Sequence, residues 1–434
     1  MTLPLFHEAA PIADITPHPD GPMLQYRPEW LQSPDAFPIS LSMPLGDRIW
    51  TSAVVAPWLM NLLPEGDPLR AMMRALGVAR EDVLGLVERI GGDLAGALRV
   101  GGPRVANNAG YRDIGTAADL ERIIEELPAK PFLVGDDGVT MSLAGAQEKL
   151  PVAVIEGRIA IPLNGAPSTH ILKPDNPRLV GSVANEALCM VLARLCDLPT
   201  AEVACGRAGD RNYLLVERYD RETVAPGVRR LHQEDFCQAL GRPPGSKYQH
   251  NQTGVAGPSL AEMFGVVRDH MTAVDTTRLL EAVIFNIAIG NVDSHAKNYS
   301  ILLGPDRSTL APLYDLMSGL SWGNITPNHA QSIGDQQRGP YIYGRHWRRM
   351  AEACGLAPAA TVRRVGEVTR RILARLPEAA LAVRAMPTDP AMLDIFVHAI
   401  AERAATVQAH AVIEGPAGPV AAPIDHASSD VGYG

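Results

Sequence analysis

Cysteine is scarce. The chain of 434 residues has five, Cys189, Cys196, Cys205, Cys237 and Cys354, an odd set without a Cys-x-x-Cys pair. That excludes a disulfide framework and a thiolate cage for structural zinc, and it suits a reducing compartment. Long apolar runs are missing too: no stretch approaches the roughly twenty residues of a membrane-crossing helix. The first twenty positions hold Glu8, Asp14 and several prolines, with neither a basic start nor an apolar segment of signal-peptide length. The expectation is a cytoplasmic protein with no membrane contact. Surplus positive charge is also absent, since the formal net charge is -9. This argues against whole-surface attraction to nucleic acid, so any DNA contact is expected through a partner. No internal repeat is present.

What is present is ordinary globular material, 46% apolar and 20% charged, in a length that suggests two to three units at roughly 150 residues per domain. Prolines recur from Pro4 to Pro68, predicting an irregular opening of short strands, turns and ordered loops. Apolar spacing over 69–90 predicts two short helices broken near Gly77, ended by Gly91, Gly92 and Gly96, and Thr116 with Asp119 predicts a capped helix over 117–127. Strands are expected at 149–155, 159–163, 170–172 and 212–216, with a helix over 185–195 between them. After Tyr219 the pattern is helical for most of the remaining length, notably over 234–240, 260–269, 276–289, 359–376 and 391–412. From Gly415 onward Pro, Gly, Ala and Ser dominate, as in a mobile tail.

Chemistry concentrates in Asn291-Val292-Asp293-Ser294-His295-Ala296-Lys297-Asn298. An aspartate followed five positions later by an asparagine is the spacing of a kinase catalytic loop, where the aspartate receives the hydroxyl proton and the asparagine binds a metal ion. A polar loop capping the preceding helix meets the same spacing. The next segment favours the first reading. Residues 299–303 and 310–313, joined through Gly304-Pro305-Asp306-Arg307-Ser308, predict a hairpin that returns Tyr314-Asp315 to Asp293 and Asn298. Two carboxylates and an amide oxygen around one point suit magnesium holding nucleotide phosphates.

Upstream, Ser142-Leu143-Ala144-Gly145-Ala146-Gln147-Glu148-Lys149 offers either backbone amides and a lysine to phosphate oxygens or a tight turn before a strand. Gly241-Arg242-Pro243-Pro244-Gly245-Ser246-Lys247 is set aside: its spacing fails the Walker A pattern and its prolines lack donors. Lys173, at a strand end, reads as a phosphate lysine or a solvated edge lysine. Glu186 reads as its αC-type partner or as an ordinary helix N-terminal carboxylate, and stays outside the expected site. Glu217-Arg218-Tyr219 sits where a hinge would meet an adenine, chiefly through backbone hydrogen bonds and an aromatic face.

The order of these pieces resembles the HipA family, the kinase components of bacterial type II toxin-antitoxin pairs. The resemblance runs through Ser142 to Lys149, Thr169-His170-Ile171-Leu172-Lys173, Val216-Glu217-Arg218-Tyr219-Asp220-Arg221, Gln233-Glu234-Asp235-Phe236-Cys237-Gln238, the Asp293 to Asn298 segment and Tyr314-Asp315. The opening, Arg27-Pro28-Glu29-Trp30 and Pro38-Ile39-Ser40-Leu41-Ser42-Met43-Pro44-Leu45, extends it over nearly the whole chain. It implies an α+β, protein-kinase-like fold of a small sheet-containing lobe and a large all-helical lobe behind an N-terminal α/β subdomain. The implied division is 1–135, 136–220 (small lobe), 221–415 (helical lobe) and 416–434 (flexible tail).

The resemblance also implies ATP and Mg2+. It makes Asp293 the catalytic base, Asn298 and Asp315 the metal ligands, and Lys173 the ATP-phosphate lysine. Glu217, Tyr219, His295 and Tyr314 become nucleotide contacts, and Ala144, Gly145, Ala146, Gln147 and Lys149 a phosphate-binding gate loop. Ser142 becomes an autophosphorylation site whose phosphate displaces that loop. Tyr219 stands where the family often has phenylalanine, which preserves the aromatic contact, and the proline-rich insertions of the opening leave partner geometry open. The implied substrate is an aminoacyl-tRNA synthetase, typically the glutamyl enzyme, phosphorylated to arrest growth and promote persistence. The implied partner is a HipB-like helix-turn-helix antitoxin, which brings operator DNA. Two alternatives stand beside this: a small-molecule kinase, and a catalytically silent corepressor subunit.

Overall fold

Alternating apolar side chains in the first hundred residues build an antiparallel sheet, with Leu3, Leu5, Ile12, Ile15, Leu24 and Tyr26 turned inward. Its five strands lie in the order Ile49–Trp50, Met23–Tyr26, Ala10–Thr16, Leu3–His7, Leu98–Val100. The proline-rich opening is thus more regular than expected. Pro28 occupies the first turn of the helix Pro28–Leu31, where its missing N–H costs nothing. The two expected helices are Gly66–Leu76, stopped by left-handed Gly77, and Val83–Ile90. Thr116 and Asp119 form a capping box on Ala117–Glu126. The computed structural model describes residues 2–79, 82–101, 109–224 and 227–415, and the tail expected over 416–434 lies outside them.

A second antiparallel sheet has six strands, in the order Val203–Ala208, Arg211–Glu217, His170–Pro174, Leu150–Ile155, Arg158–Leu163, Gly110–Asp113. The helix Ser182–Leu195 packs against it, with Ala187, Leu188 and Leu192 fully buried. Leu150, Val152, Ile161 and Leu172 join the core of the N-terminal sheet, so the two sheet-bearing units share one apolar interior.

A separate core joins Ser182–Leu195 to the helices Leu260–His270, Ala273–Ile289, Pro358–Arg384 and Leu393–Ala411. The architecture is the α+β, two-lobed, kinase-like one expected. The large lobe is mostly helical, yet the expectation of an all-helical lobe needs correction. It carries the strands His232–Asp235, Ser300–Leu303 and Ser308–Leu310 in one sheet and two-stranded ribbons elsewhere. The helix expected over 234–240 is in fact the end of a strand followed by one turn, Phe236–Ala239, because Asp235 caps that turn through Gln238 while residues 232–235 pair with 300–303. All five cysteines are buried and free.

Candidate active site

The catalytic-loop segment begins where Ala273–Ile289 ends. Gly290 takes φ 71°, and any Cβ there would lie 2.4 Å from Leu320, so the stop is steric on both counts. Asn291 then locks the loop: its Nδ2 donates to Asn286 Oδ1 (2.9 Å) and to the Asp315 carbonyl (3.4 Å), and its Oδ1 accepts from the Asp293 amide (3.3 Å). Asn298 Nδ2 donates to the Asp293 carbonyl at 2.8 Å, which leaves the Asn298 amide oxygen as the atom for a cation.

The expected hairpin is present, with Ile301 opposite Leu310 and Leu303 opposite Ser308. Its return strand stops at Leu310, earlier than expected, because Leu313 is captured by the small lobe. The Leu313 amide donates to Pro199 O (2.8 Å), and its carbonyl accepts from the Ala201 amide (2.9 Å). Asp315 follows with φ 52°, a left-handed conformation unusual for a residue with a side chain.

Asp315 lies against the small lobe. Lys173 Nζ donates to Asp315 Oδ1 and, at 2.6 Å, to Glu186 Oε1. Burial opposes the ammonium, but Asp315 and Glu186 outweigh it and hold the Lys173 pKa above its ordinary value. Burial likewise pushes the Asp315 carboxyl up, and Lys173 and Lys149 more than offset this, keeping it ionised. Glu186, left outside the expected site, belongs to it.

All of these line one cleft of about 780 Å³ between the lobes, together with Glu217, Tyr219, His295, Tyr314 and the run Ala144 to Gln147. That is the size of a small-molecule site. Ser142 does not line it: the side chain is fully buried against Leu62 O at 3.5 Å. Lys149 reaches back 2.6 Å to Ala144 O, folding the loop over the cleft, and burial lowers its pKa to about 8 despite Asp315.

On the hinge side, Tyr219 and Tyr314 stack with ring centres 5.7 Å apart, and the Tyr314 hydroxyl donates to Lys297 O at 2.7 Å. The amides of Glu217 and Arg218 already donate to Glu202 O and Thr169 O, so those two N–H groups are not free for an adenine. Arg218, Asp220 and Arg221 instead form a buried charge network with Asp93 of the N-terminal unit.

Three observations bear on a nucleotide and a cation. His295 lines the cleft with its Nδ1 buried and without a protein partner, and burial beside Lys247 and Lys297 holds the ring neutral. Lysines 149 and 173 supply positive charge for phosphates. Among the described residues no three His, Cys, Asp or Glu side chains gather as a metal cage. The carboxylate of Asp315, kept ionised, and the Asn298 amide oxygen line the same cleft as Asp293. That is the sparse protein share with which magnesium is held when phosphates complete its shell.

Asp293 lines the same cleft and accepts at Oδ1 from the Tyr248 hydroxyl, which lines it too. Tyr248, and the buried pair of Lys297 with Asn61, escaped the sequence reading. Tyr248 and Asn61 lie in no periodic or spaced motif, and both partnerships join segments far apart in the chain.

Two family models match: the HipA-like C-terminal domain over residues 141–376 and the HipA N-terminal domain over residues 3–101. The chain is 36% identical over 398 residues to "Putative kinase Y4mE" of Sinorhizobium fredii, covering 88% of this chain and 92% of that protein. It is 30% identical over 382 residues to the "Serine/threonine-protein kinase toxin HipA" of Shewanella oneidensis, covering 85% and 86%. A chain in the solved complex of Shewanella oneidensis HipA, HipB and operator DNA superposes with a TM-score of 0.81 at 28% identity, covering 94% of this chain and 96% of that one.

Proposed function

The chain belongs to the HipA family, and on that footing we propose that it is an ATP- and magnesium-dependent serine/threonine protein kinase, the toxin of a HipA/HipB-like pair. The observation that carries the reading is the Lys173, Glu186 and Asp315 ion cluster on one wall of a cleft whose other wall presents Asp293 and Asn298.

In this reading Lys173 orients the triphosphate and Glu186 fixes the lysine. Asp293 accepts the proton of the attacking hydroxyl, and Asn291 and Asn298 hold its backbone in place for that step. Asp315 and Asn298 would hold magnesium, which when bound neutralises charge on the transferred phosphoryl group. His295 Nδ1, Tyr219, Tyr314 and Glu217 face the nucleoside, and Ala144, Gly145, Ala146, Gln147 and Lys149 cover the phosphates.

Ser142 is the proposed autophosphorylation site. A phosphate there has no room against Leu62 O, so modification requires the loop to leave its present seat. The proposed acceptor protein is an aminoacyl-tRNA synthetase, glutamyl-tRNA synthetase first, with growth arrest and persistence as the outcome in the cytoplasm. The proposed partner is a HipB-like helix-turn-helix protein that supplies the contact with operator DNA. The proposed division remains 1–135, 136–220, 221–415 and 416–434.

The test is to incubate purified protein with ATP, magnesium and candidate synthetases and to map phosphate by mass spectrometry. Phosphoserine on a synthetase, and at Ser142, is expected, and both vanish in Asp293→Ala. Phosphate on an added aminoglycoside or sugar in place of protein would replace this reading, and no transfer at all would end it.

A further inference from the structure

Lys297 stands next to the proposed metal ligand Asn298 but does not take part in the chemistry assigned above. Its ammonium is buried and has three acceptors: Asn61 Oδ1 at 2.6 Å, Asn61 O at 3.2 Å and Asp235 Oδ2 at 2.8 Å. Asn61 lies 236 positions earlier, at the end of the N-terminal helix Ser52–Met60, and is itself buried. Its Nδ2 is fixed by Pro57 O and Arg242 O, both at 2.8 Å, so the oxygen offered to Lys297 has a set direction.

Four residues on, Glu65 accepts from Lys247 Nζ at 2.8 Å, and the neighbouring Tyr248 donates to Asp293. The same short segment also holds the gate loop. The Glu65 amide donates to Gly145 O at 3.0 Å, Pro64 bridges to Gly145, and Leu62 O accepts from Ser142. Residues 61–65 therefore touch both sides of the cleft: the loop that covers it, and the loop that carries Asp293 and Asn298.

Burying an ammonium is costly unless its acceptors are fixed in place, and a buried, fully satisfied polar cluster has few alternative arrangements. The catalytic loop is thus tied at Lys297 to a part of the chain that lies outside both lobes. We infer that Lys297 is a positioning residue, anchored by Asn61, through which docking of the N-terminal unit sets the geometry of Asp293 and Asn298. The inference rests on the phosphoryl-transfer reading above for its consequence, but its structural half stands apart from it.

The experiment compares wild type, Asn61→Ala, Lys297→Met and the double variant in the full-length protein. Hydrogen exchange is read over 291–299, together with binding of a fluorescent ATP analogue and the rate of transfer from MgATP. Exchange over 291–299 rises about tenfold or more in both single variants while the helix Ala273–Ile289 keeps its protection. Transfer per nucleotide-binding site falls about ten- to a hundredfold with nucleotide affinity within about threefold, since small displacements of reacting groups are costly to rate. The double variant is no slower than Lys297→Met, because the bond from Lys297 to Asn61 Oδ1, through which Asn61 acts, is already absent in Lys297→Met. A merely structural role of Asn61 towards Pro57 and Arg242 gives losses that multiply.

Should Lys297→Met fail to fold, for which the unpaired Asp235 gives reason, Lys297→Met/Asp235→Asn takes its place in the cycle. Unchanged exchange over 291–299 in Asn61→Ala, or multiplied losses in the double variant, overturns the inference. A wild type that binds nucleotide and transfers nothing overturns the kinase reading instead, and the exchange result still decides whether the anchor exists.

Discussion

Lys173 Nζ sits 2.6 Å from Glu186 Oε1, a buried ion pair that joins the strand His170–Pro174 to the helix Ser182–Leu195. Replacing Lys173 by Met leaves Glu186 in the interior without a cation, and breaking a buried pair in this way costs about 3–5 kcal/mol. Urea unfolding of Lys173→Met is expected to show a loss of that size, and titration with a fluorescent ATP analogue a loss of binding. Glu186→Gln keeps a hydrogen-bond acceptor and loses less stability, while transfer slows. Midpoints and affinities equal to wild type in both variants would mean that the pair is idle.

The proposed roles of Asp293 and Asp315 separate in kinetics. Asp293→Asn removes the proton acceptor and is expected to slow transfer by about 10²–10⁴ with little change in nucleotide affinity. Asp315→Asn removes the ionised metal ligand, so nucleotide binding loses its dependence on magnesium, and EDTA, which weakens binding to wild type, leaves the variant unaffected. Equal magnesium dependence in Asp315→Asn and wild type would remove Asp315 from the metal site.

A buried glutamate gives stability a pH dependence. Burial pushes the Glu234 pKa up to about 8, although it accepts from the Leu41 amide at 2.8 Å and meets Ser40 Oγ at 2.5 Å. The folded chain keeps the proton while the unfolded chain releases it near the ordinary value of 4.5, so this contribution is complete below that pH and is lost as pH rises through about 8. Melting temperatures from pH 5 to 8.5 are expected to fall in wild type relative to Glu234→Gln. The corresponding difference in unfolding free energy at the alkaline end is on the order of a few kcal/mol, because each tenfold difference in proton affinity between the folded and unfolded chain is worth about 1.4 kcal/mol. Parallel curves would place the ionised form in the native protein.

Asp93 makes the opposite case. Its carboxylate is buried among Arg221, Arg218 and Arg230 and accepts from Ser168 Oγ at 2.6 Å, and these partners outweigh burial and hold its pKa well below the usual range. Its contribution is present at neutral pH and lost in acid. Asp93→Ala leaves buried guanidinium groups short of a counter-ion and is expected to cost about 3–5 kcal/mol at pH 7, with the difference from wild type shrinking in acid. A urea midpoint unchanged at pH 7 would contradict it.

The parts of the site readable in the sequence were those in which a local pattern constrains geometry. The Asp293 to Asn298 spacing, the hairpin after it and the strand carrying Lys173 each depend on neighbours within a few residues, and the cleft gathers all of them. The all-helical reading of the second lobe failed at 232–235, where the polar run His232-Gln233-Glu234-Asp235 shows no alternation of apolar and polar side chains and only pairing with 300–303 decides. The anchors Asn61, Glu65, Tyr248 and Asp93 were invisible for the same reason. A polar residue in a loop carries no periodicity, and its partner lies far along the chain. Glu186 was within reach of the sequence, since the helix and Lys173 were both recognised. Only the distance between them distinguishes an ion pair from a solvated carboxylate.

The five enclosed sulfurs have a practical bearing. Burial drives the pKa of Cys196, Cys205 and Cys354 up to about 12 and raises those of Cys189 and Cys237 as well, so the native protein offers almost no thiolate to an alkylating reagent. Because these residues sit in the core shared by the small lobe's helix and the helical lobe, label enters only when that interior opens. Which sulfur reacts first therefore reports where the protein begins to come apart.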